Sequence, residues 1–187
     1  MPRMALLGVA ADETARTYNS EHSLKHLLCE TAGRPDVTWR TRGRMTKKPK
    51  SVATILDREL ESTIKEWLRR VNLLPELTRI PLNDQNRTFH LYQVFCDLSC
   101  RLRLAADAVL PVSTAATDHG RRRRHQGYTA AMLVEESRLF QVVTFQTLHL
   151  HVGELDRHQL LLDVMVIADE VDLQLVHAVR CWETPVP

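Results

Sequence analysis

The chain changes character at Ser51: from there apolar residues recur at helical spacing, and before it they do not. Val52, Leu56, Leu60, Ile64, Trp67, Leu68 and Val71 fall three and four apart, one stripe that predicts a helix. It ends at Asn72-Leu-Leu-Pro75, because Pro75 pushes its predecessor out of helical backbone. After the linker ELTRIPLND, Asn83 or Asp84 is placed to cap a second helix from about Gln85 to Ala106. Its stripe is Leu91, Val94, Phe95, Leu98, Leu102 and Ala105. Pro111 opens a shorter third helix, with Ser113 or Thr114 near its cap, which carries Ala115, Ala116, His119 and the tract Arg121 to Arg124. Gly127 ends it as a left-handed residue. Thr129 begins a fourth, closed by Gly153, with Leu133, Ser137, Phe140, Thr144 and Leu148 on one face and Val134, Val143 and Thr147 beside it. Asp156 with Gln159 reads as a capping box for a fifth helix. That helix has the widest stripe: Leu160, Leu161, Val164, Ile167, Ala168, Val171, Leu175, Ala178, Val179 and Trp182, stopped by Thr184-Pro185. No segment shows a period of two. The pattern predicts an all-α fold, a helical bundle of about five helices over residues 51–183.

Residues 1–50 read as a disordered basic tail. GRPDVTWRTRGRMTKKPK places Arg34, Arg40, Arg42, Arg44, Lys47, Lys48 and Lys50 within 17 positions, beside Gly and Pro. Such a stretch buries too little apolar surface to offset its ordering entropy. A short helix over Ser23 to Glu30 is the one local exception expected there.

Composition narrows the class. At 187 residues, one domain with a tail buries a sizeable core without disulfides or a structural metal. Six glycines are too few for a turn-dense β fold, and a net charge of +2 gives no reason to expect nucleic acid as a partner. No apolar run approaches the roughly 18 to 20 residues of a membrane span. MPRMALLGVAADETA resembles a secretory leader only loosely. Cys29, Cys96, Cys100 and Cys181 lack the spacing of a disulfide framework, so a cytoplasmic location is expected.

Candidate chemistry is sparse. There is no Gly-rich phosphate turn and no HExxH. His149 and His151 would project about 200° apart on a helix, wrong for one ion. Cys96 and Cys100 share a helix face, a spacing open to a metal or redox switch, but they are expected as small buried hydrophobes between Phe95 and Leu98. Asp169 and Asp172 face the same way, yet pairing of the acidic residues with the arginine tract and Arg138 explains them better than acid–base chemistry does. His119-Gly120-Arg121 leading to Gln126-Gly127-Tyr128 is different: it gathers His, Arg, Gln and Tyr at one helix junction, where Gly127 allows close approach. Spacing is compatible with a hydrogen-bonded joint or with the mouth of a ligand pocket.

Three blocks, LDRELESTIKEWLRRVNLLPELTRIPLNDQNR, HGRRRRHQGYTAAMLVEESRLF and LLLDVMVIADEVDLQLVHAV, resemble in order the RsbRD N-terminal type of domain, over roughly residues 52–182. WLxRV…P…PLxD and H-G-x-x-R-x-x-Q-G-Y are the specific parts. The family comprises input domains of RsbT co-antagonist proteins, also found ahead of bacterial histidine kinases and PucR-like regulators. The resemblance implies a non-enzymatic, all-helical sensory domain, often a homodimer, that signals to an effector such as a histidine kinase transmitter or stressosome component. Related stressosome domains are globin-like without haem, so the resemblance disfavours a cofactor while leaving a small-molecule or haem sensor as the alternative. It places His119, Arg124, Gln126, Tyr128 and Glu136 at the helix corner as candidate ligand or partner contacts. Two departures stand out: four consecutive arginines make the corner unusually basic, and no transmitter, STAS or helix-turn-helix region follows the last helix. The output half is missing, encoded elsewhere or replaced by direct binding.

Overall fold

The computed structural model describes residues 48–104 and 114–183. The expected basic tail, apart from Lys48 to Lys50, lies outside the described residues, as do the short helix over 23–30, Pro111 and Ser113. Among the described residues there are seven α-helices and no strands, an all-α bundle. They are α1 (Val52–Arg58), α2 (Leu60–Val71), α3 (Pro75–Thr78), α4 (Asp84–Arg103), α5 (Thr114–His125), α6 (Ala130–Leu150) and α7 (Arg157–Val179). None is long and apolar enough to cross a membrane.

Most boundaries follow local hydrogen-bond chemistry. Ser51, Asn83 and Thr129 each accept a bond from the backbone N–H three residues on, meeting donors that a helix start leaves orphaned. Asp156 caps α7 by accepting from His158 N, but Gln159 does not complete the expected box; its amide donates to Asp163 instead. α4 stops at Arg103, short of Ala106, with Leu104 already extended. α6 ends at Leu150 and passes into a 3₁₀ turn, Val152–Glu154, so Gly153 is not the terminator. The linker after Pro75 holds the one-turn helix α3, whose Leu77 is fully buried.

The first expected helix is two. At Glu59 the backbone leaves helical values (φ −96°, ψ 11°), and the halves take different partners. α1 buries Val52, Ala53, Ile55 and Leu56 mainly against α4; α2 buries Ile64, Trp67 and Val71 mainly against α6. A straight helix would hold one bearing throughout; the break lets each half face its own neighbour. α4 and α6 form the middle of the bundle, where Phe95 and Phe140 meet edge to face at 4.9 Å. α7 closes the other side against α4, α5 and α6. Lys50 N donates to the Glu154 carbonyl, and the Glu154 carboxylate gathers Lys50, Arg58 and His151, pinning the chain before α1 to the turn after α6.

Two glycines divide the work at the corner. Gly127 (φ 88°) makes the left-handed turn ending α5, with Tyr128 N bonded to the Arg123 carbonyl and Gly127 N to that of Arg124. Close approach belongs to Gly120 rather than Gly127. A Cβ on Gly120 would lie 2.1 Å from the Ala178 carbonyl oxygen, so α5 and α7 touch backbone to backbone there. Gly120→Ala is expected to force the helices apart and cost about 1 to 3 kcal/mol or more, as overpacking does. Chemical denaturation measures it, and a loss below about 0.5 kcal/mol would show that the contact is slack.

Candidate functional site

Glu136 projects from α6 into the bundle with its side chain 2% exposed. A buried carboxylate needs a charge partner and a full set of donors. Arg123 of α5, 0% exposed, donates Nε to Oε2 at 2.9 Å, and the Tyr128 hydroxyl donates to Oε1 at 2.8 Å. The remaining Arg123 donors reach the Asn86 carbonyl (3.1 Å), the Arg87 carbonyl (2.8 Å) and the Gln126 amide oxygen (2.9 Å). Arg87, also buried, donates to Tyr128 Oη and to the Leu77 and Ile80 carbonyls, tying the α3 turn into the network. From α2, Trp67 donates its indole N–H to the Glu136 carbonyl at 3.2 Å. The carboxylate is thus held by α5 and the α5–α6 junction, with α4 reaching it through Tyr128 and α2 bonding the Glu136 backbone.

Two histidines complete the cluster. His119 of α5 stacks on His90 of α4, centroids 3.7 Å apart, and Trp67 meets His90 edge-on. His119 Nε2 lies 3.9 Å from Glu136 Oε2. These groups form one wall of a cavity of about 1120 Å³ between α4, α5, α6 and α7, whose apolar side is Leu133, Phe140 and Val171. Gln174 also lines it, held at 2.9 Å by Glu170.

Burial governs the protonation states. It pushes both histidines well below the usual imidazole range, reinforced at His90 by His119, Arg123 and Arg122 and at His119 by Arg123 and Arg122. Burial raises the Glu136 carboxyl, opposed by Arg123 and Tyr128, and raises the Tyr128 phenol, helped by the Glu136 charge. A histidine with a depressed folded pKa stabilises fully above the unfolded value near 6.5 and loses that contribution as pH falls toward the folded value. Glu136 acts oppositely, since a raised carboxyl takes up its proton more readily in the folded state. Glu170, also raised by burial, acts in the same sense as Glu136, so the imidazole contribution is read from a difference: the melting temperature of the wild type should drop more than that of His119→Gln as pH is lowered from about 7 to about 5. An equal pH dependence in the two proteins would contradict the assignment.

Of the residues expected at the corner, the structure brings together His119, Gln126, Tyr128 and Glu136. Arg124 is not among them: it bonds the Cys181 carbonyl, clamping α5 to the 3₁₀ turn after α7. The arginine in the network is Arg123. The cause is helical phase, because Arg123 lies four residues from His119 on the same face and Arg124 is a further 100° round. His90, Arg87 and Trp67 were outside the expected set. Cys96 and Cys100 are half-buried thiols rather than core residues. The expected pairing of acidic and basic residues takes the form Arg123–Glu136 and Arg138–Glu135, while Asp163 bonds Gln159. The chain matches no protein-family model, no curated protein and no solved structure.

Proposed function

We propose that the chain is a non-enzymatic signal-input module of the RsbRD N-terminal kind, in which a cavity ligand is read out through α7. The polarity of α7 carries this reading. Its inward positions include Asp163, Glu170 and Gln174, while Leu161, Leu162, Met165, Leu173 and Val176 are 47–70% exposed on its outside. Exposed apolar side chains gathered on one helix face mark an interaction face; here they form two groups, Leu161, Leu162 and Met165, then Leu173 and Val176, with the exposed Asp169 and Asp172 between them. The same helix lines the cavity with Val171, Gln174 and Ala178, so occupancy of the cavity bears on a helix whose other side meets a partner. The partner favoured here is a second copy, the homodimer through which such modules address an effector.

Sedimentation equilibrium tests this. A dimer is expected at tens of micromolar, and Leu161→Asp combined with Met165→Asp should give a folded monomer. A wild-type monomer at that concentration, or a dimer indifferent to both aspartates, overturns the interface. The alternative, a haem or small-molecule sensor, is favoured by the histidines in the cavity wall. Stacked at 3.7 Å, they do not flank a porphyrin from opposite faces, so a haem would take at most one of them. A Soret band in the freshly purified protein would select that alternative.

A further inference from the structure

We propose that His90, His119 and Glu136 form a binding site for a divalent transition metal of the zinc class, open to the cavity. The three side chains come from α4, α5 and α6, and one ligand atom of each lies within 4.8 Å of the other two. Zinc takes imidazole nitrogen and carboxylate oxygen at about 2.0 to 2.2 Å in tetrahedral geometry, so its ligand atoms stand about 3.3 to 3.6 Å apart. His119 Nε2 and Glu136 Oε2, at 3.9 Å, would have to close by about half an ångström. The widest separation would have to close by up to about 1.5 Å, and because the two imidazoles stack face to face at 3.7 Å, one ring must turn out of the stack to aim its lone pair at a shared ion.

Two imidazoles and one carboxylate are the donor set of zinc centres that keep an exchangeable position. Tyr128 and Arg123 hold the carboxylate from outside, and Arg123 Nη2 also stands 3.5 Å from His90 Nδ1. Arg123 sets a positive charge beside the ion, which favours an anion, hydroxide or a carboxylate, at the position facing the cavity. The site stands on these three side chains alone and does not rest on the α7 interface.

The test uses the full chain, stripped with chelator and titrated with Zn²⁺ by calorimetry and with Co²⁺ by visible absorption. One ion per chain is expected, with Co²⁺ d–d bands. His90→Gln and His119→Gln should each weaken binding by more than about 100-fold, beyond what losing an outer hydrogen-bond partner costs. Circular dichroism checks that both variants are folded. Imidazole ¹⁵N resonances of the wild type, followed on adding Zn²⁺, give a readout that needs no variant: those of His90 and His119 should shift. Absence of binding overturns the proposal, and so does binding that leaves these two resonances unmoved or survives both substitutions. Either result leaves the cluster as a hydrogen-bonded joint, with any ion held elsewhere, as at Cys96 and Cys100.

Discussion

Arg123→Ala is expected to destabilise the protein by about 3 to 5 kcal/mol, the cost of removing one partner from a buried ion pair. The loss is not only Coulombic. Glu136 would keep the Tyr128 hydroxyl, but its charge would be uncompensated in the bundle interior. The Asn86 and Arg87 carbonyls and the Gln126 amide oxygen would each lose a donor. The neighbouring arginines are internal controls. Arg121 is exposed and pairs with the equally exposed Asp118, so Arg121→Ala should stay within about 0.5 kcal/mol. Arg124→Ala removes the bond to the Cys181 carbonyl and should cost about 1 kcal/mol or more, short of the Arg123 loss. Urea denaturation of the three variants should rank them Arg123, then Arg124, then Arg121. An Arg123→Ala protein within about 1 kcal/mol of wild type would mean that the network is not structural.

Trp67→Ala should cost about 3 to 5 kcal/mol, the range for truncating a large buried aromatic. The indole is 1% exposed, anchors α2 against α6, and supplies the Glu136 carbonyl with its donor. Trp67→Phe separates these contributions, since it keeps most of the packing and loses the hydrogen bond, worth about 1 kcal/mol. The phenylalanine variant should therefore fall well short of the alanine loss. Equal losses would assign the effect to the hydrogen bond, and a small loss in both would place the indole outside the core. Because Trp67 also contacts His90, this position reaches both the scaffold and the cavity wall.

Period and capping were legible where an element answers to its own residues. The second, fourth and fifth expected helices appear as α4, α6 and α7, and the described part of the third as α5. Gly127 ends α5 in the left-handed conformation its position implied. The break at Glu59 was not legible, because the stripe from Val52 to Val71 is continuous and the interruption answers to different neighbours of α1 and α2. Which side of α7 turns inward was not legible for a related reason. A wide apolar stripe does not say which part turns inward, and Asp163, Glu170 and Gln174 occupy inward positions beside Ile167 and Val171.

At the site, the sequence by itself determined the local constellation: His119, Gln126, Tyr128 and Glu136 lie close along the chain, around one turn. It held the phase information as well: His119 and Arg123 are four apart, and the arginine of H-G-x-x-R-x-x-Q-G-Y falls on Arg123, so the assignment to Arg124 was one position out. Only the tertiary structure decided what that constellation meets. Trp67 is 69 positions from Glu136, and His90 is 29 from the histidine it stacks on. Helix formation is governed by hydrogen bonds between residues three or four apart, so it is written locally. Which helices share a carboxylate depends on contacts formed across the whole bundle, at a close approach that Gly120 permits and no periodicity records.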